Sequence, residues 1–161
     1  MEILSSLKEE SKKALKSNKK LGIRLKKMKP GKVDEIVHEL HEEVFEEVDC
    51  LLCANCCKSI SPIVTDKDIQ RLAKHFRVKP AEFVEKYLYL DDEQDYVFQN
   101  TPCPFLGEDN YCSVYSVRPK ACAEYPHTDR RKFTQIIDLS IKNTKICPAV
   151  FHVFERLKKI M

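Results

Sequence analysis

The sequence has few glycines, three among 161 residues, and no long run of apolar residues. Glycine-rich loops that cradle phosphate groups are therefore unavailable. No apolar segment reaches the length of a membrane span, and charges interrupt residues 1–13, so we expect neither a transmembrane helix nor a cleavable secretory signal. No Ser/His/Asp ordering or paired-carboxylate motif supports conventional hydrolysis. These absences predict a cytoplasmic protein whose thiols meet a reducing environment, where stable disulfides are uncommon.

Positive charge is concentrated near the beginning of the sequence. Residues 1–32 carry 11 of the 28 Lys and Arg residues but only 3 of the 25 Asp and Glu residues, whereas the remainder is acidic on balance. Such asymmetry is typical of an arm that binds nucleic acid or anionic lipid, or of two segments that neutralise each other.

Apolar spacing predicts two helices in this region. The first has a heptad-like seam with two polar interruptions, formed by Leu4, Leu7, Ser11, Ala14, Asn18, Leu21, Leu25 and Met28. After a break at Pro30 and Gly31, a second apolar stripe is formed by Val33, Val37, Leu40, Val44 and Val48. Because the polar face of the second helix is acidic, we predict a helical hairpin over residues 1–49 in which the lysines face carboxylates and solvent. This interpretation disfavours nucleic acid as a partner and leaves open a protein partner for the first helix.

The rest of the chain predicts short helices around an irregular middle. Thr65 is placed to cap one helix, Pro80 to open a second and Pro148 to open the last. Residues 96–99 and 133–140 are candidate strands, whereas residues 101–126 contain four prolines and three cysteines and predict loops. We therefore predict a mainly α protein with irregular cysteine-rich loops and little β structure. Its parts are an N-terminal helical hairpin, residues 1–49, and one small metal-organised domain, residues 50–161.

The cysteines carry the clearest functional signal. Four of the eight lie within eight positions, at Cys50, Cys53, Cys56 and Cys57. Steps of three residues allow a backbone turn around one metal centre, and metal proximity favours the thiolate form that binds. Buried free thiols are the alternative, which such clustering disfavours. His38 and His41, three residues apart, could also face one ion, although bordering the apolar stripe is the more common role.

The later cysteines lie in segments that resemble a known family. These segments are Cys103-Pro104-Phe105-Leu106, the C-x-x-Y-x-x-R-P stretch from Cys112 to Pro119, Cys122, and Tyr125-Pro126. Together with Cys50 to Cys57 they resemble the bacterial CxxCxxCC cysteine-cluster proteins, which are described as zinc- or iron-chelating. The resemblance covers residues 50–147 and implies metal chelation by cysteine. The family includes longer enzymes that methylate flagellin lysines.

We predict that all eight cysteines are metal ligands: Cys50, Cys53, Cys56, Cys57, Cys103, Cys112, Cys122 and Cys147. Structural zinc usually takes pairs of C-x2-C knuckles, and only the first four cysteines offer such pairs. Three cysteines at steps of three plus a remote Cys-Pro, as at Cys147-Pro148, are typical of iron–sulfur ligation, which we favour slightly over Zn2+. Adjacent side chains diverge, so Cys57 is expected to ligate a second centre completed by later cysteines or to remain a metal-polarised thiol.

Two further residues are candidates for contact with the bound group. Arg118 could offset thiolate charge or bind a substrate carboxylate, or it could fix the Arg-Pro turn by bonding backbone carbonyls. Tyr115 could line the same pocket, although core packing is the commoner role. We name no catalytic residue.

Three functions are compatible with this pattern. The first is a metal-binding protein that stores, delivers or senses an iron–sulfur cluster or zinc, or is stabilised by it. The second is a metal-dependent enzyme, either redox or methyltransferase-like. The third is a zinc-stabilised adaptor whose N-terminal helix binds a partner.

Overall fold

Helices dominate the protein in the computed structural model, which describes residues 2–161, with side chains from Leu4 onward. The α-helices are α1 Glu2–Lys26, α2 Pro30–Glu47, α3 Cys50–Cys53, α4 Asn55–Ser59, α5 Asp66–Phe76, α6 Pro80–Tyr87, α7 Lys120–Glu124, α8 Ile137–Asn143 and α9 Pro148–Ile160. Two short strands, β1 Leu88–Leu90 and β2 Tyr96–Phe98, and two 3-10 turns, Tyr115–Val117 and Phe133–Ile136, complete the elements. The predicted mainly α fold with little β structure is confirmed.

The described chain forms two compact units. Unit 1 combines the residues up to Cys50 with Pro126–Met161, and unit 2 is the intervening segment Leu51–Tyr125. The predicted second domain, residues 50–161, is thus divided between the units, because α8 and α9 pack with the N-terminal helices. Separate folding of residues 1–49 and 50–161 stays a prediction.

In unit 1, α9 is the common partner of α1 and α2. It packs against both helices, and α8 packs against α1. The predicted stripes are the buried faces: Leu21 and Leu25 from α1 meet Val37 and Val44 from α2 in one apolar cluster. The cluster is completed from α9 by Val150, Val153, Phe154 and Leu157. Asn18, one of the polar interruptions in the α1 seam, is also fully buried.

Lysines of α1 such as Lys12 and Lys16 face solvent as predicted, but the expected pairing with α2 carboxylates is not found. Arg156 of α9 binds α2 carboxylates instead, with its guanidinium 3.1 Å from Glu43 and 2.7 Å from Glu47. Lys26 of α1 pairs with Asp138 of α8 at 2.7 Å. Across the side chains from residue 4 onward, no ion pair joins α1 to α2. The physical reason is that α9 presents apolar side chains broadly enough to cover both stripes.

The predicted strand over Phe133–Ser140 is also wrong. This segment is a 3-10 turn followed by α8, with Ile137, Ser140 and Ile141 buried. Buried residues three and four positions apart follow the period of a helix. In the sequence, a short apolar run is compatible with either a helix or a strand. Asp34 of α2 accepts hydrogen bonds from the backbone N–H groups of Lys132 and Phe133, at 2.7 and 2.9 Å, and thereby fixes the start of the turn.

The histidines on α2 are structural ties within unit 1. His41 Nδ1 lies 2.6 Å from the hydroxyl of fully buried Thr128, and His38 Nε2 lies 2.9 Å from the carbonyl of Arg130. Both contacts attach residues 128–130 to α2. The alternative role as metal ligands gains no support.

Unit 2 is built on an aromatic cluster under α5, α6 and the β1–β2 hairpin. The antiparallel strands pair Leu88 with Phe98 and Leu90 with Tyr96. Phe105, from the cysteine-bearing loop, lies 5.3 Å from the ring of Phe76 and 5.6 Å from the ring of Phe98. Apolar burial therefore holds one part of the loop, next to Cys103, against the regular elements.

Predicted helix starts agree with the structure. Thr65 caps α5 in a reciprocal capping box with Asp68, and Pro80 and Pro148 occupy the first turns of α6 and α9. In the portion that the structure describes, every helix is too short or too polar to cross a lipid bilayer.

Candidate metal centre

The first cysteine group occupies two short helices. Cys53 ends α3, and Cys56 and Cys57 lie in α4. Ala54 separates the helices in the left-handed conformation, with φ 45°, which turns the chain sharply between them. The carbonyl of Cys57 accepts a hydrogen bond from the backbone N–H of Cys103 at 2.8 Å. This bond attaches the second cysteine segment directly to the first.

Cys103 and Cys112 flank a tight loop. Leu106 and Cys112 form an isolated antiparallel bridge, and the N–H of Gly107 donates to the carbonyl of Tyr111 at 2.8 Å. Buried Phe105 anchors this loop in the aromatic cluster, and its carbonyl accepts from the N–H of Ser113 at 2.8 Å. Local hydrogen bonding therefore brings two cysteines that are nine positions apart to the same end of the loop.

A buried carboxylate holds the segment that leads to Cys122. Asp68 of α5 is 1% exposed and accepts a hydrogen bond from the backbone N–H of Lys120 at 3.1 Å. Arg71 pairs with Asp68 at 2.6 Å and donates to the carbonyls of Val117 and Arg118, at 3.3 and 2.8 Å. This Asp68–Arg71 clamp fixes residues 117–120, between Cys112 and the α7 cysteine, Cys122.

Sequence reasoning missed the clamp. The sequence places Asp68 at the third position of the helix that Thr65 caps, with Arg71 three residues later. This pattern indicated only a helix start. The backbone groups that the pair binds lie about fifty positions away, and no local pattern reveals such a partner.

Neighbouring cysteines contribute to raised pKa values at three thiols, Cys103, Cys112 and Cys122. Burial raises the pKa of Cys122 to about 12, and the charges of Cys103, Cys57 and Cys112 contribute to the rise. Burial also raises the pKa of Cys103, helped by Cys57 and Cys112. The pKa of Cys112 is raised by burial and by Cys57. Since such effects act over short distances, Cys57, Cys103, Cys112 and Cys122 form a cluster, which we call the thiol tetrad.

Within the tetrad, Cys57 is the most acidic thiol. A hydrogen bond from the side chain of Cys56 lowers the pKa of Cys57 to about 6, with smaller help from its own backbone N–H and from Lys58. Burial opposes this shift but does not cancel it. Cys57 is therefore the member of the tetrad that is a thiolate at neutral pH.

Arg118 lies beside the tetrad and stacks on Tyr115. Its guanidinium carbon is 3.9 Å from the centre of the Tyr115 ring, and Nη1 donates to the Tyr115 carbonyl at 2.7 Å. These contacts match the predicted turn-fixing role. The positive charge of Arg118 also opposes the rise in the pKa values of Cys112 and Cys122. Tyr115 is 60% exposed, so it does not pack in the core.

Cys56 contacts the tetrad through its hydrogen bond to Cys57, and the surroundings of the remaining cysteines differ from one another. Cys50 is exposed and belongs to unit 1, whereas Cys53 and Cys56 are half-buried in unit 2. Cys147 precedes α9 and packs against the apolar cluster of unit 1. Ligation by all eight cysteines stays a prediction.

The tetrad fits a soft metal in its donor chemistry. Its donors are all thiols, and half-buried like charges are unfavourable unless a cation lies among them. From residue 4 onward, however, no three His, Cys or carboxylate side chains already stand at the distances of a coordination shell.

The fold and the site define a small helical protein with a cysteine-lined centre for a soft metal. A family model described as "Putative zinc- or iron-chelating domain", CxxCxxCC, matches residues 49–148. The chain belongs to this family, and it is a metal-binding protein of the zinc- or iron-chelating class. Comparison with characterised proteins and with solved structures gave no match.

Proposed function

We propose that the protein binds an iron–sulfur cluster through the thiol tetrad of Cys57, Cys103, Cys112 and Cys122. The observation that carries the proposal is that the charges of Cys57 and its neighbours contribute to the raised pKa values of Cys103, Cys112 and Cys122. Four thiolates are the usual complement of a cluster, and desolvated thiolates gain stability when a cationic centre replaces their repulsion.

The arrangement of the tetrad favours a cluster over zinc. No two of its members are separated by the two to four residues typical of a zinc knuckle; the smallest separation within the tetrad is from Cys103 to Cys112. Each ligand comes from its own turn, as in sites where a bulky centre is held by several segments. A cluster would supply one-electron transfer.

The residues of the chain have separate roles in this proposal. Cys57 presents a thiolate at neutral pH, so it is suited to make the first bond. The Asp68–Arg71 clamp holds the segment before Cys122. Arg118 contributes positive charge next to two ligands and thereby lowers the cost of a site with four thiolates.

The test is anaerobic purification followed by iron, zinc and sulfide analysis and a visible spectrum. We expect iron and sulfide in equal amounts, with a visible absorption that is lost in Cys122→Ser and retained in Cys147→Ser, the matched control outside the tetrad. Colourless protein with tightly held zinc that shows the same dependence on Cys122 would keep the tetrad but overturn the cluster. Equal metal loss in both variants would overturn the tetrad itself.

A further inference from the structure

The solvent side of α1 is a row of lysines, separate from the metal centre. Its exposed positions include Lys8, Lys12, Lys16, Lys19 and Lys20, which we call the basic face. At 100° per residue these five positions fall within about one third of the helix circumference. Glu9 and the exposed apolar Ile23 lie in the same arc, so this surface is cationic on balance.

The lysines of the basic face are not paired with carboxylates. The ion pairs of α1 and α2 involve other residues: Lys26 pairs with Asp138, and Arg156 pairs with the carboxylates of α2. For the side chains from residue 4 onward, none of the five lysines takes part in an ion pair. Neutralisation by α2 therefore does not disfavour an anionic partner for this face.

A lipid surface fits the basic face poorly. Interfacial helices insert an apolar side into the bilayer, but the apolar side of α1 is used internally, with Leu7, Leu21 and Leu25 buried. Only isolated apolar side chains, such as Leu15 and Ile23, are exposed on α1. Attachment to anionic lipid would therefore depend on charge alone.

A duplex nucleic acid fits it better. From Lys8 to Lys20 the face extends about 18 Å along α1, at a rise of about 1.5 Å per residue. Duplex DNA presents a phosphate charge about every 1.7 Å along its axis, which is a denser linear array of anions than a protein surface offers. The face contains neither arginine nor an aromatic ring, so it has the chemistry for phosphates and not for reading or stacking on bases.

We propose that the basic face of α1 binds the phosphate backbone of double-stranded nucleic acid, without sequence preference. The shared chemistry is the phosphodiester chain, which DNA and RNA duplexes both supply. The proposal does not depend on which metal the thiol tetrad holds.

The test measures fluorescence anisotropy of labelled DNA and RNA duplexes of about 20 base pairs with the intact protein, over salt from about 50 to about 200 mM. We expect affinity to fall steeply with salt. In the variant Lys12→Gln, Lys16→Gln and Lys19→Gln, the log–log salt slope should decrease by roughly 2.7, because each lost phosphate contact contributes about 0.9, and Kd should rise by roughly 100-fold.

The matched control removes the same charge from exposed lysines of unit 2, as Lys67→Gln, Lys74→Gln and Lys79→Gln. It should leave the salt slope within about 0.5 of the wild-type value. Preference for DNA or for RNA would identify the source of the phosphates. Absence of duplex binding, equal weakening in both triple variants, or binding only to phosphatidylserine vesicles would each overturn the proposal. Circular dichroism melting verifies that both variants are folded.

Discussion

The Asp68–Arg71 clamp gives the sharpest test of how the fold supports the metal centre. The Asp68 side chain accepts four hydrogen bonds: from the N–H and hydroxyl of Thr65 at 2.9 and 2.8 Å, from Arg71 at 2.6 Å and from the N–H of Lys120 at 3.1 Å. Burial alone would raise the pKa of this carboxyl, but the hydrogen bonds outweigh burial and hold the pKa below its usual range. The folded protein therefore depends on the ionised form.

The perturbation is Asp68→Asn, which keeps the shape but replaces one accepting oxygen by a donor. A helix cap is worth about 1 kcal/mol, and a hydrogen bond to a charged group about 1.5–3 kcal/mol. Because Arg71 is 40% exposed, its lost pairing with Asp68 is partly replaced by water. We expect a loss of about 2 kcal/mol in the free energy of unfolding, or a fall in Tm of about 4–8 °C for a chain of this length.

The assays are urea unfolding and release of metal to a chelator. Asp66→Asn, at an exposed position in the same helical turn, is the control and should unfold like the wild type. Metal release should be faster in Asp68→Asn, since residues 117–120 lose an anchor. A change below about 0.3 kcal/mol, or equal effects of the two substitutions, would show that the Asp68–Arg71 clamp does not stabilise the fold.

The pH dependence has a definite sign. A carboxyl whose pKa is lowered in the folded state binds its proton more readily in the unfolded chain. Its contribution to the free energy of unfolding is therefore fully present when the pH is above its unfolded pKa, about 3.9. That contribution is lost as the pH falls through the folded pKa. The stability difference between wild type and Asp68→Asn should therefore shrink below about pH 4, measured by urea unfolding across pH.

Three further predictions concern single positions. Gly22→Ala should destabilise the protein by about 1–2 kcal/mol in thermal melts, since the added Cβ would lie 2.9 Å from a methyl carbon of buried Ile137. Gly31→Ala, with nothing within 4 Å, should stabilise it slightly, and a stabilised Gly22→Ala would contradict the packing. Asn18→Leu should raise Tm, because both polar atoms of the buried amide lack a hydrogen-bond partner; a lower Tm would show that the amide is satisfied. In metal-free protein, the rate of alkylation of Cys57 should rise with pH with a midpoint near pH 6, and this reaction should be absent in Cys57→Ser. A midpoint above pH 8 would contradict the hydrogen bond between the Cys56 and Cys57 side chains.

Periodicity predicted which helix faces are buried but not their partners. The apolar positions of α1 and α2, such as Leu25 and Val37, are in the core as expected. The sequence could not show that α9 would cover both stripes, because any apolar helix satisfies the same pattern. For residues 133–140, the run was too short for its period to separate helix from strand.

The candidate site was predictable in composition. Cys57 contributes to the raised pKa values of Cys103, Cys112 and Cys122, but its grouping with them in a second centre stays a prediction. The premise that Cys56 and Cys57 diverge is wrong, because the Cys56 side chain hydrogen-bonds Cys57. The spacing of Cys50, Cys53 and Cys56 predicts a first centre, which stays a prediction. Asp68 holds the segment before Cys122 by accepting a hydrogen bond from a backbone N–H group that is distant in sequence. Because every residue type except proline carries such a group, the sequence could not predict this contact.

The division of the chain into units has a consequence for synthesis on the ribosome. Unit 2 is one continuous segment, whereas unit 1 needs residues from both sides of it. Chain growth therefore completes unit 2, with all four tetrad cysteines, before α8 and α9 have been made, while the N-terminal helices still lack their covering helix. During that interval the apolar stripes of α1 and α2 face water, and a growing chain that stalls after unit 2 would be prone to association through them.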